Sequence, residues 1–258
     1  MTQTFHAADG AELSYVDRGP RGDIALLFVH GWNASSDVWG PLMDLLAARR
    51  RTIGMDVRGF GGSHAARGPY TVENFSDDLS ALIAFADLDP LVVVGHSMGA
   101  AIAQRFAIDR PEVVEGLVLI APVPASGMDF PPKVDAFFRS LPGNLEATNA
   151  WLAKLTYEDP PPQIRAIMRD AAALVDPAVA LESYESWSRL HFADEAATIA
   201  TPTLVIAPAG DRPDFARERV ADLIEGSRFE IMPKTGHYAP LERPAAIARL
   251  IERFIEDL

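Results

Sequence analysis

A serine on a glycine-flanked turn is the residue of this sequence best placed to carry out chemistry. Residues 95–99 have the sequence G-H-S-M-G, follow the apolar segment 91–94 and precede a helical pattern that begins at Ala100. A sharp turn between a strand and a helix would raise the Ser97 hydroxyl above the sheet, where it could attack a carbonyl carbon. The pattern G-x-S-x-G also recurs by chance as a structural turn. Its position between a strand and a helix nevertheless favours Ser97 as a nucleophile.

With this motif the chain resembles the α/β-hydrolase family, and the resemblance extends over essentially its whole length. It looks most like the small cap-bearing members, which are esterases, enol-lactonases, carbon-carbon bond hydrolases and cofactor-free haloperoxidases or perhydrolases. In that family an acid and a histidine follow the nucleophile in the chain order Ser, Asp, His. The resemblance therefore implies that two later loops supply a carboxylate and an imidazole.

A serine hydroxyl is too weakly acidic to attack at neutral pH without a base, and six histidines could provide one. His237 follows the strand-like segment 229–232 in a stretch that resembles the family's histidine loop, which implies His237 as the base. His96 neighbours the serine, but a sharp turn directs its side chain away, so a packing role is expected. His191 is kept as a candidate substrate contact.

The base in turn needs a carboxylate that holds its tautomer and stabilises the imidazolium. Asp211 lies just beyond an apolar segment, where the resemblance places the family's acid, and Asp214 is the competing candidate. Residues 208–209 depart from the family, because they are Pro and Ala where a glycine usually comes early in the loop. In some members of the family the acid follows the preceding strand instead. Segment 121–127 contains no Asp or Glu, which excludes that position here.

Negative charge that develops on the carbonyl oxygen needs preorganised donors, each worth about 3–4 kcal/mol. Residues 30–32 are H-G-W, end an apolar segment and resemble the family's oxyanion loop. The resemblance implies that the backbone N–H groups of Trp32 and Met98 hold the oxyanion and that their side chains line the pocket floor. An ordinary strand-ending turn is the alternative for residues 30–32.

Neither a phosphate site nor a metal site is predicted. The glycine-rich segment 56–63 lacks the G-x-x-x-x-G-K-[ST] pattern of a phosphate cradle and resembles the family's D-x-R-G-x-G-x-S loop, which shapes the fold beside the active site. The histidines are scattered without a ligand spacing such as H-E-x-x-H. We therefore expect no metal and no organic cofactor.

Strands and helices that alternate along most of the chain would position these residues. Apolar or alternating segments predict strands at 12–16, 24–30, 52–56, 91–95, 116–121, 203–207 and 229–232, and His6 is placed in an edge strand. Helical patterns cover 36–49, 72–86, 97–108, 217–224 and 244–255. This order predicts an α/β fold, with a mostly parallel central sheet and helices on both of its faces.

The alternation stops at about residues 122–196, where proline-separated helical stretches predict an inserted helical cap. The division is an α/β-hydrolase core at 1–121 and 197–258 and a helical cap, or lid, at 122–196. The cap is rich in aromatic residues: Phe130, Phe137, Phe138, Trp151, Tyr157, Tyr184, Trp187 and Phe192. These rings could roof a pocket or form the cap's own small core. The candidate substrate contacts are Trp32, Met98, Phe137, Trp151, Trp187 and His191.

Composition limits the classes of partner. The 258 residues, 48% of them hydrophobic, suffice for one compact domain with an insertion. A net charge of -13 opposes nucleic-acid binding, and the lack of cysteine excludes disulfides and a thiolate nucleophile. Residues 1–10 show no signal-peptide pattern and no apolar run is long enough to span a membrane. We expect a soluble, cytoplasmic protein with a small-molecule substrate and no nucleic-acid or membrane partner, and homo-oligomers are left open.

The leading hypothesis is hydrolysis of a small or medium carboxylic ester or lactone through an acyl-enzyme on Ser97. Cleavage of a carbon-carbon bond in a vinylogous diketone and cofactor-free perhydrolase or haloperoxidase activity are the alternatives, and a non-enzymatic small-molecule binder is the least favoured. Haloalkane dehalogenation is disfavoured because its nucleophile is an aspartate. Segment 122–196 has six Lys or Arg against eleven Asp or Glu, so an anionic substrate would need a specific arginine that composition does not identify.

Overall fold

The predicted strands assemble into one eight-stranded sheet in a computed structural model, which describes residues 2–22 and 24–258. Met1 and Asp23, which belong to the predicted core segment 1–121, lie outside the described residues. The strands are β1 Thr2–His6, β2 Glu12–Arg18, β3 Ala25–Val29, β4 Thr52–Met55, β5 Leu91–His96, β6 Val114–Ile120, β7 Thr203–Pro208 and β8 Arg228–Met232.

The strand order is β1-β2-β4-β3-β5-β6-β7-β8, with β1 and β2 antiparallel at one edge and the other six strands parallel. The strands β3, β4, β5 and β7 are buried along their whole length, as expected for apolar runs covered on both faces. The carboxyl ends of parallel strands meet at one edge, so the loops after β3, β5, β7 and β8 come together there. The predicted mostly parallel α/β sheet is confirmed.

Helices cover both faces of the sheet. They are α1 Gly40–Leu46, α2 Val72–Ala86, α3 Met98–Asp109, α4 Pro132–Arg139, α5 Leu145–Leu152, α6 Pro162–Ala173, α7 Pro177–Ser188, α8 Ala193–Ala196, α9 Pro213–Ala216, α10 Ala239–Glu242 and α11 Pro244–Glu256. One hydrophobic cluster packs α2 and α3 against one face, and a second packs α1 and α11 against the other. Single 3-10 turns lie at Ser36–Trp39, Gly61–Ser63 and Ala153–Leu155.

Two helix predictions were wrong in their extent. The helix predicted at 36–49 begins as the 3-10 turn and ends at Leu46, and its last three predicted residues lie beyond it. In place of a single helix at 217–224, a short turn begins earlier at Pro213, a favoured first helical residue, and a wider π-type turn follows at Arg217–Ala221. A periodic apolar pattern shows which side is buried but does not fix the hydrogen-bond spacing.

The segment between β6 and β7 consists of helices α4 to α8, and we call residues 122–196 the helical insertion. Within the described residues no strand lies in this segment, as predicted. Its side chains enter both clusters, with Val179 and Tyr184 in one and Leu152 and Met168 in the other. The division into a core and a cap with boundaries at 121/122 and 196/197 stays a prediction.

The glycine-rich segment 56–63 forms a polar frame beside the edge where the loops meet. Asp56 accepts hydrogen bonds from the backbone N–H groups of Ser36 at 2.7 Å and Gly62 at 3.0 Å. Arg58 is 1% exposed and uses all five N–H donors, on Asp78, Asp9 and the carbonyl of Arg67. These contacts give the segment a structural function.

None of the helices in the described segments has both the length and the apolar character that a membrane span requires.

Candidate active site

Ser97 lies on a strained turn between β5 and α3. Its φ of 55° and ψ of -118° fall in a region that side-chain-bearing residues rarely adopt and that costs about 1–3 kcal/mol. The turn is held by hydrogen bonds from Ser97 N to Ile120 O at 3.1 Å and from Val123 N to Ser97 O at 3.2 Å. A Cβ at Gly99 would overlap the carbonyl oxygen of Val29, so the motif needs glycine there. The strain is typical of a nucleophile held above a sheet edge.

His237 and Asp211 form a hydrogen-bonded pair at the same edge. Asp211 follows β7, and its Oδ2 accepts a hydrogen bond from His237 Nδ1 at 2.5 Å. Burial acts to raise the pKa of Asp211, but the charge and hydrogen bond of His237 outweigh burial and leave that pKa below its ordinary value. The carboxylate therefore stays ionised, and Nδ1 carries the proton. Asp214, the competing acid, is exposed and makes no hydrogen bond to the histidine within the described residues.

The loop that carries His237 is anchored from three sides. The His237 N–H donates to Leu155 O at 2.6 Å, and His96 Nε2 donates to the His237 carbonyl at 2.8 Å. The Glu242 carboxylate accepts from Gly236 N at 3.0 Å and from Tyr157 N at 2.9 Å. Because Leu155 and Tyr157 belong to the helical insertion, the insertion directly fixes the position of the histidine.

His96 is a neutral, buried hydrogen-bond donor. Burial, helped by the neighbouring His237, lowers the pKa of His96 to about 3. The ring lies 4.8 Å from the His237 ring and 5.4 Å from the Tyr238 ring, between centroids. It contributes to the cavity wall, and its Nδ1 has no partner in the described part of the chain. His96 therefore makes packing and hydrogen-bond contacts as expected, but its ring lines the same cavity as Ser97 instead of pointing away from it.

The loop after β3 is fixed by His30. Val57 N donates to His30 Nε2 at 3.0 Å, so the proton lies on Nδ1, which donates to Gly31 O at 2.8 Å. Burial lowers the pKa of His30, which favours this neutral form. In a trans peptide the N–H points opposite to the C=O. Holding the Gly31 carbonyl therefore aims the Trp32 N–H away from His30.

Two backbone donors near Ser97 are uncommitted. Within the described residues, neither the Trp32 N–H nor the Met98 N–H donates to a protein acceptor, and Met98 is the first residue of α3, where helical N–H groups have no intrahelical partner. A Cβ built on Gly31 would come to 3.0 Å from the Ser97 Cβ, so the two loops are in contact. These two N–H groups are available to hold an oxyanion, as the sequence implies.

Ser97 and His237 both line one cavity that contains about 860 Å³ of empty space, part of it open to solvent. No hydrogen bond joins the Ser97 hydroxyl to the His237 ring in the described residues. Contacts of this kind are often long in the unliganded enzyme and shorten when substrate binds. The three side chains that the sequence selected are therefore brought to one cavity, and their catalytic roles stay a proposal.

The cavity has an aromatic wall centred on Trp32. The Trp32 ring is 5.8–6.0 Å from the rings of Phe138, Trp151, Tyr184 and Trp187, between centroids. Its Nε1 donates to Ala180 O at 2.9 Å. The aromatic side chains of the helical insertion thus form a core around a residue of the β3 loop. Trp32, Trp151 and Trp187, predicted to contact substrate, all line the cavity.

Three predicted substrate contacts are not part of the cavity wall. Phe137 is 41% exposed, and its neighbour Phe138 lines the cavity instead, because consecutive helical residues point about 100° apart. His191 is exposed beyond the end of α7, with its Nδ1 3.3 Å from Arg189 O. The Met98 side chain is fully buried beneath the turn, so only its backbone N–H can serve the site.

Sequence reasoning missed several other wall residues. Phe130 and Phe138 belong to the aromatic set, but nothing in the pattern showed which members would face the cavity. Arg212 and Phe215, which follow the acid, also line it. Their only signal was their closeness to Asp211. Among the described residues, no group of three or more His, Asp or Glu could hold a metal ion.

Known proteins resemble this chain over most of its length. The model of the family described as "Alpha/beta hydrolase family" matches residues 26–250. A Mycobacterium tuberculosis protein provisionally named non-heme bromoperoxidase BpoC is 30% identical over 276 aligned positions, which cover 95% of this chain and 98% of that protein. The bifunctional esterase/perhydrolase DCH of Acinetobacter calcoaceticus is 32% identical over 118 positions, which cover 45% of this chain and 43% of that protein.

Solved structures agree on the fold. The esterase EaEST from Exiguobacterium antarcticum superimposes with a TM-score of 0.89 at 20% identity, over 99% of this chain and 100% of that one. A bromoperoxidase from Bacillus anthracis gives the same TM-score, identity and coverage. At this level of identity, the likeness concerns the fold alone.

Proposed function

This chain belongs to the alpha/beta hydrolase family, and from that premise we propose that it is a serine hydrolase of small or medium carboxylic esters or lactones. One observation carries the proposal. The Ser97 hydroxyl, the Asp211–His237 pair and Trp32 line a single, largely apolar cavity, and the uncommitted N–H groups of Trp32 and Met98 lie next to the Ser97 turn. This set contains a nucleophile, a base with its orienting acid and two oxyanion donors, which acyl transfer to water requires.

In the first half-reaction His237 Nε2 accepts the Ser97 proton while Oγ attacks the carbonyl carbon. The carbonyl oxygen becomes negative and receives hydrogen bonds from Trp32 N and Met98 N. His237 then gives its proton to the leaving alkoxide, the carbon-oxygen bond breaks and the acyl group stays on Ser97. Asp211 stabilises the imidazolium throughout without itself taking a proton.

In the second half-reaction His237 deprotonates a water molecule, which attacks the acyl-enzyme carbonyl. A second oxyanion forms and collapses, the bond to Oγ breaks, and His237 returns the proton to Ser97. The products are a carboxylic acid and an alcohol, or a hydroxy acid from a lactone. The aromatic wall around Trp32 would hold the apolar part of the substrate.

Covalent labelling of Ser97 by a fluorophosphonate tests the nucleophile, and turnover of p-nitrophenyl acetate tests the reaction. We expect Ser97→Ala to abolish labelling and to lower kcat/KM by about 10⁵-fold or more, with little change in Tm. A folded wild-type protein that neither labels nor turns over this ester would overturn the proposal. A dienoic ring-fission product, tried in parallel, detects cleavage of a carbon-carbon bond instead.

Perhydrolysis is the second candidate, favoured by the names of two relatives, one a bromoperoxidase and the other an esterase/perhydrolase. Hydrogen peroxide would replace water in attack on the acyl-enzyme and release a peracid, which then oxidises halide without further help from the protein. Acetate-dependent bromide oxidation in the presence of peroxide measures this activity. If its kcat/KM exceeds that of ester hydrolysis, the order of the two candidates is reversed.

A further inference from the structure

Arg212 is the one Lys or Arg among the described residues that line the cavity. The chain has 36 acidic residues against 23 Lys and Arg, and many of its arginines are paired with carboxylates. Within the described residues, Arg212 forms no ion pair and donates no side-chain hydrogen bond. Arg212 is solvent-exposed, and an unpaired cation at the wall of a largely apolar cavity is a candidate partner for an anionic group of the substrate.

The side chain of Arg212 is restrained without forming an ion pair, although its charge acts on the neighbouring Asp211 carboxylate. Its guanidinium carbon lies 4.2 Å from the centroid of the Phe215 ring, another residue of the cavity wall. Stacking on an aromatic face restrains the guanidinium plane and leaves its N–H donors unused. The backbone of Arg212 has φ 48° and ψ 59°, a left-handed conformation that is unfavourable for arginine and common for glycine or asparagine. A sequence that needed only this turn would be better served by one of those two residues.

Two nearby arginines, Arg217 and Arg219, also lie against aromatic rings but are not part of the cavity wall. Arg219, 5.8 Å from the same Phe215 ring, is partly compensated by Asp129 at 3.7 Å. The guanidinium carbon of Arg217 lies 4.2 Å from the centroid of the Phe229 ring, the same distance as between Arg212 and Phe215, but neither Arg217 nor Arg219 lines the cavity. Among the residues that the structure describes, only Arg212 combines a stacked, unpaired guanidinium with a place in the cavity wall.

We propose that Arg212 binds a carboxylate of the substrate, so that the enzyme prefers esters or lactones that carry a free carboxylate over neutral ones of the same shape. The proposal rests on the function proposed above, because it names the substrate class of that site. Planar guanidinium and planar carboxylate match as a bidentate pair. Arg212 adjoins Asp211, so the bound carboxylate would lie on the side of the cavity where His237 transfers protons.

Two pairs of esters test the proposal and distinguish the two parts of the substrate. On the acyl side, the anionic mono-p-nitrophenyl succinate is compared with the neutral p-nitrophenyl butyrate. On the leaving-group side, 4-acetoxybenzoate is compared with its methyl ester. For each pair the ratio of kcat/KM, anionic over neutral, is measured in the wild type and in variants, so that differences in intrinsic reactivity cancel.

We expect Arg212→Met to lower this ratio by about tenfold or more in at least one pair, as expected for loss of a charged hydrogen bond. Arg212→Lys should retain part of the preference, because it keeps the charge without the planar fork. Arg217→Met, the matched control, should leave the ratio unchanged. Salt screens the attraction between a guanidinium and a carboxylate. The ratio measured for the wild type should therefore fall as NaCl rises from about 20 mM to about 500 mM, whereas the ratio measured for Arg212→Met should stay constant. A ratio that is the same in the wild type and Arg212→Met for both pairs overturns the proposal.

A binding measurement separates this inference from the proposed function. Benzoate, but not the neutral benzamide, should raise the Tm of the wild type, and the shift should be lost in Arg212→Met and kept in Arg217→Met. If no ester is turned over but benzoate shows this pattern, the hydrolase proposal fails and carboxylate recognition stands. If esters are hydrolysed while benzoate and benzamide act alike on both proteins, the function stands and the role of Arg212 is wrong.

Discussion

Two sets of loops at the same edge of the sheet differ in whether their polar groups have hydrogen-bond partners within the protein. In segment 56–63, Arg58 uses all five of its donors on carboxylates and a carbonyl, and Asp56 accepts from two backbone N–H groups. In the loops that carry Trp32 and Ser97, the N–H groups of Trp32 and Met98 have no partner within the described residues. The first set uses its hydrogen bonds within the protein, whereas the second leaves two N–H groups unpaired, which the proposed function assigns to an oxyanion.

If the proposed function is correct, stability and catalysis depend on different loops at one edge of the sheet. A buried polar group without a partner costs about 1–3 kcal/mol, and the strained backbone of Ser97 adds a similar amount. The paired network around Arg58 is one of the contacts that can offset such costs. We therefore expect substitutions in the first set to act on unfolding and substitutions in the second to act on turnover.

After the loss already expected for Ser97→Ala, the largest effect should come from the acid that orients the histidine. We expect Asp211→Asn to lower kcat by about 10⁴-fold, because an amide can donate to Nδ1 and stabilises the wrong tautomer. Asp214→Asn is the matched control, since Asp214 is exposed three residues away, and it should change kcat by no more than about twofold. Steady-state kinetics on one ester measure both. A greater loss in the Asp214 variant would show that the acid is assigned to the wrong residue.

The opposite pattern is expected for Arg58→Met. The side chains of Arg58 and Asp78 are 1% and 3% exposed, and removal of one partner leaves the other charge buried and unpaired. We expect the free energy of unfolding to fall by about 3–5 kcal/mol in urea titrations. The kcat/KM of the molecules that remain folded should stay within a few-fold of wild type, since Arg58 is not part of the cavity wall.

Arg165→Met provides the control for that variant. The Arg165–Asp159 pair is 48% and 84% exposed, so water screens it, and its loss should move the urea midpoint far less. If Arg58→Met were as stable as Arg165→Met, or if it lost turnover while keeping its stability, the proposed separation between the two sets of loops would be wrong.

His96 combines both kinds of role, because its ring lines the cavity and its buried hydrogen bond holds the histidine loop. Its pKa is about 3 in the folded protein against 6.5 for an ordinary histidine. Between these values the unfolded chain binds a proton that the folded chain does not, so stability rises with pH across this window. The contribution of His96 to the free energy of unfolding is fully present well above pH 6.5. At pH 5 the wild type should be about 2 kcal/mol less stable because of this group.

Urea titrations of the wild type and His96→Gln at pH 7 and pH 5 test this dependence. Glutamine keeps an N–H donor for the His237 carbonyl but cannot titrate, so the difference in stability between the two pH values should shrink by about 2 kcal/mol. An equal pH dependence in both proteins would mean that His96 does not resist protonation.

The scaffold and the three central side chains follow from the sequence because local signals and sheet geometry agree. Apolar runs such as Leu91–His96 fix buried strands, and residues that follow the carboxyl ends of parallel strands must meet at one edge. Ser97, Asp211 and His237 each follow such a strand, so their convergence depends on topology rather than on detailed packing.

The cavity wall could not be predicted in the same way. Phe137 and Phe138 are identical in type and adjacent in sequence, and only the packing of α4 against Tyr184 decides which of them faces inward. Arg212 faces the cavity because of a left-handed backbone conformation, for which an arginine gives no local signal. Contacts set by rotation of a helix or by one unusual dihedral angle depend on tertiary structure and not on a repeating pattern.

The smallest effect is expected at Glu242, which couples the helical insertion to the histidine loop. Its Oε2 accepts from both Tyr157 N and Gly236 N, and its Oε1 also accepts from Gly236 N. In Glu242→Gln one of these oxygens becomes an NH₂ group, which cannot accept and would face an N–H donor. We expect a loss of about 1–2 kcal/mol in stability and a several-fold fall in kcat, because His237 would be less firmly placed. Urea titration and kinetics on one ester measure the two quantities. A variant with wild-type kcat but reduced stability would place Glu242 with Arg58, among the residues that serve the fold alone.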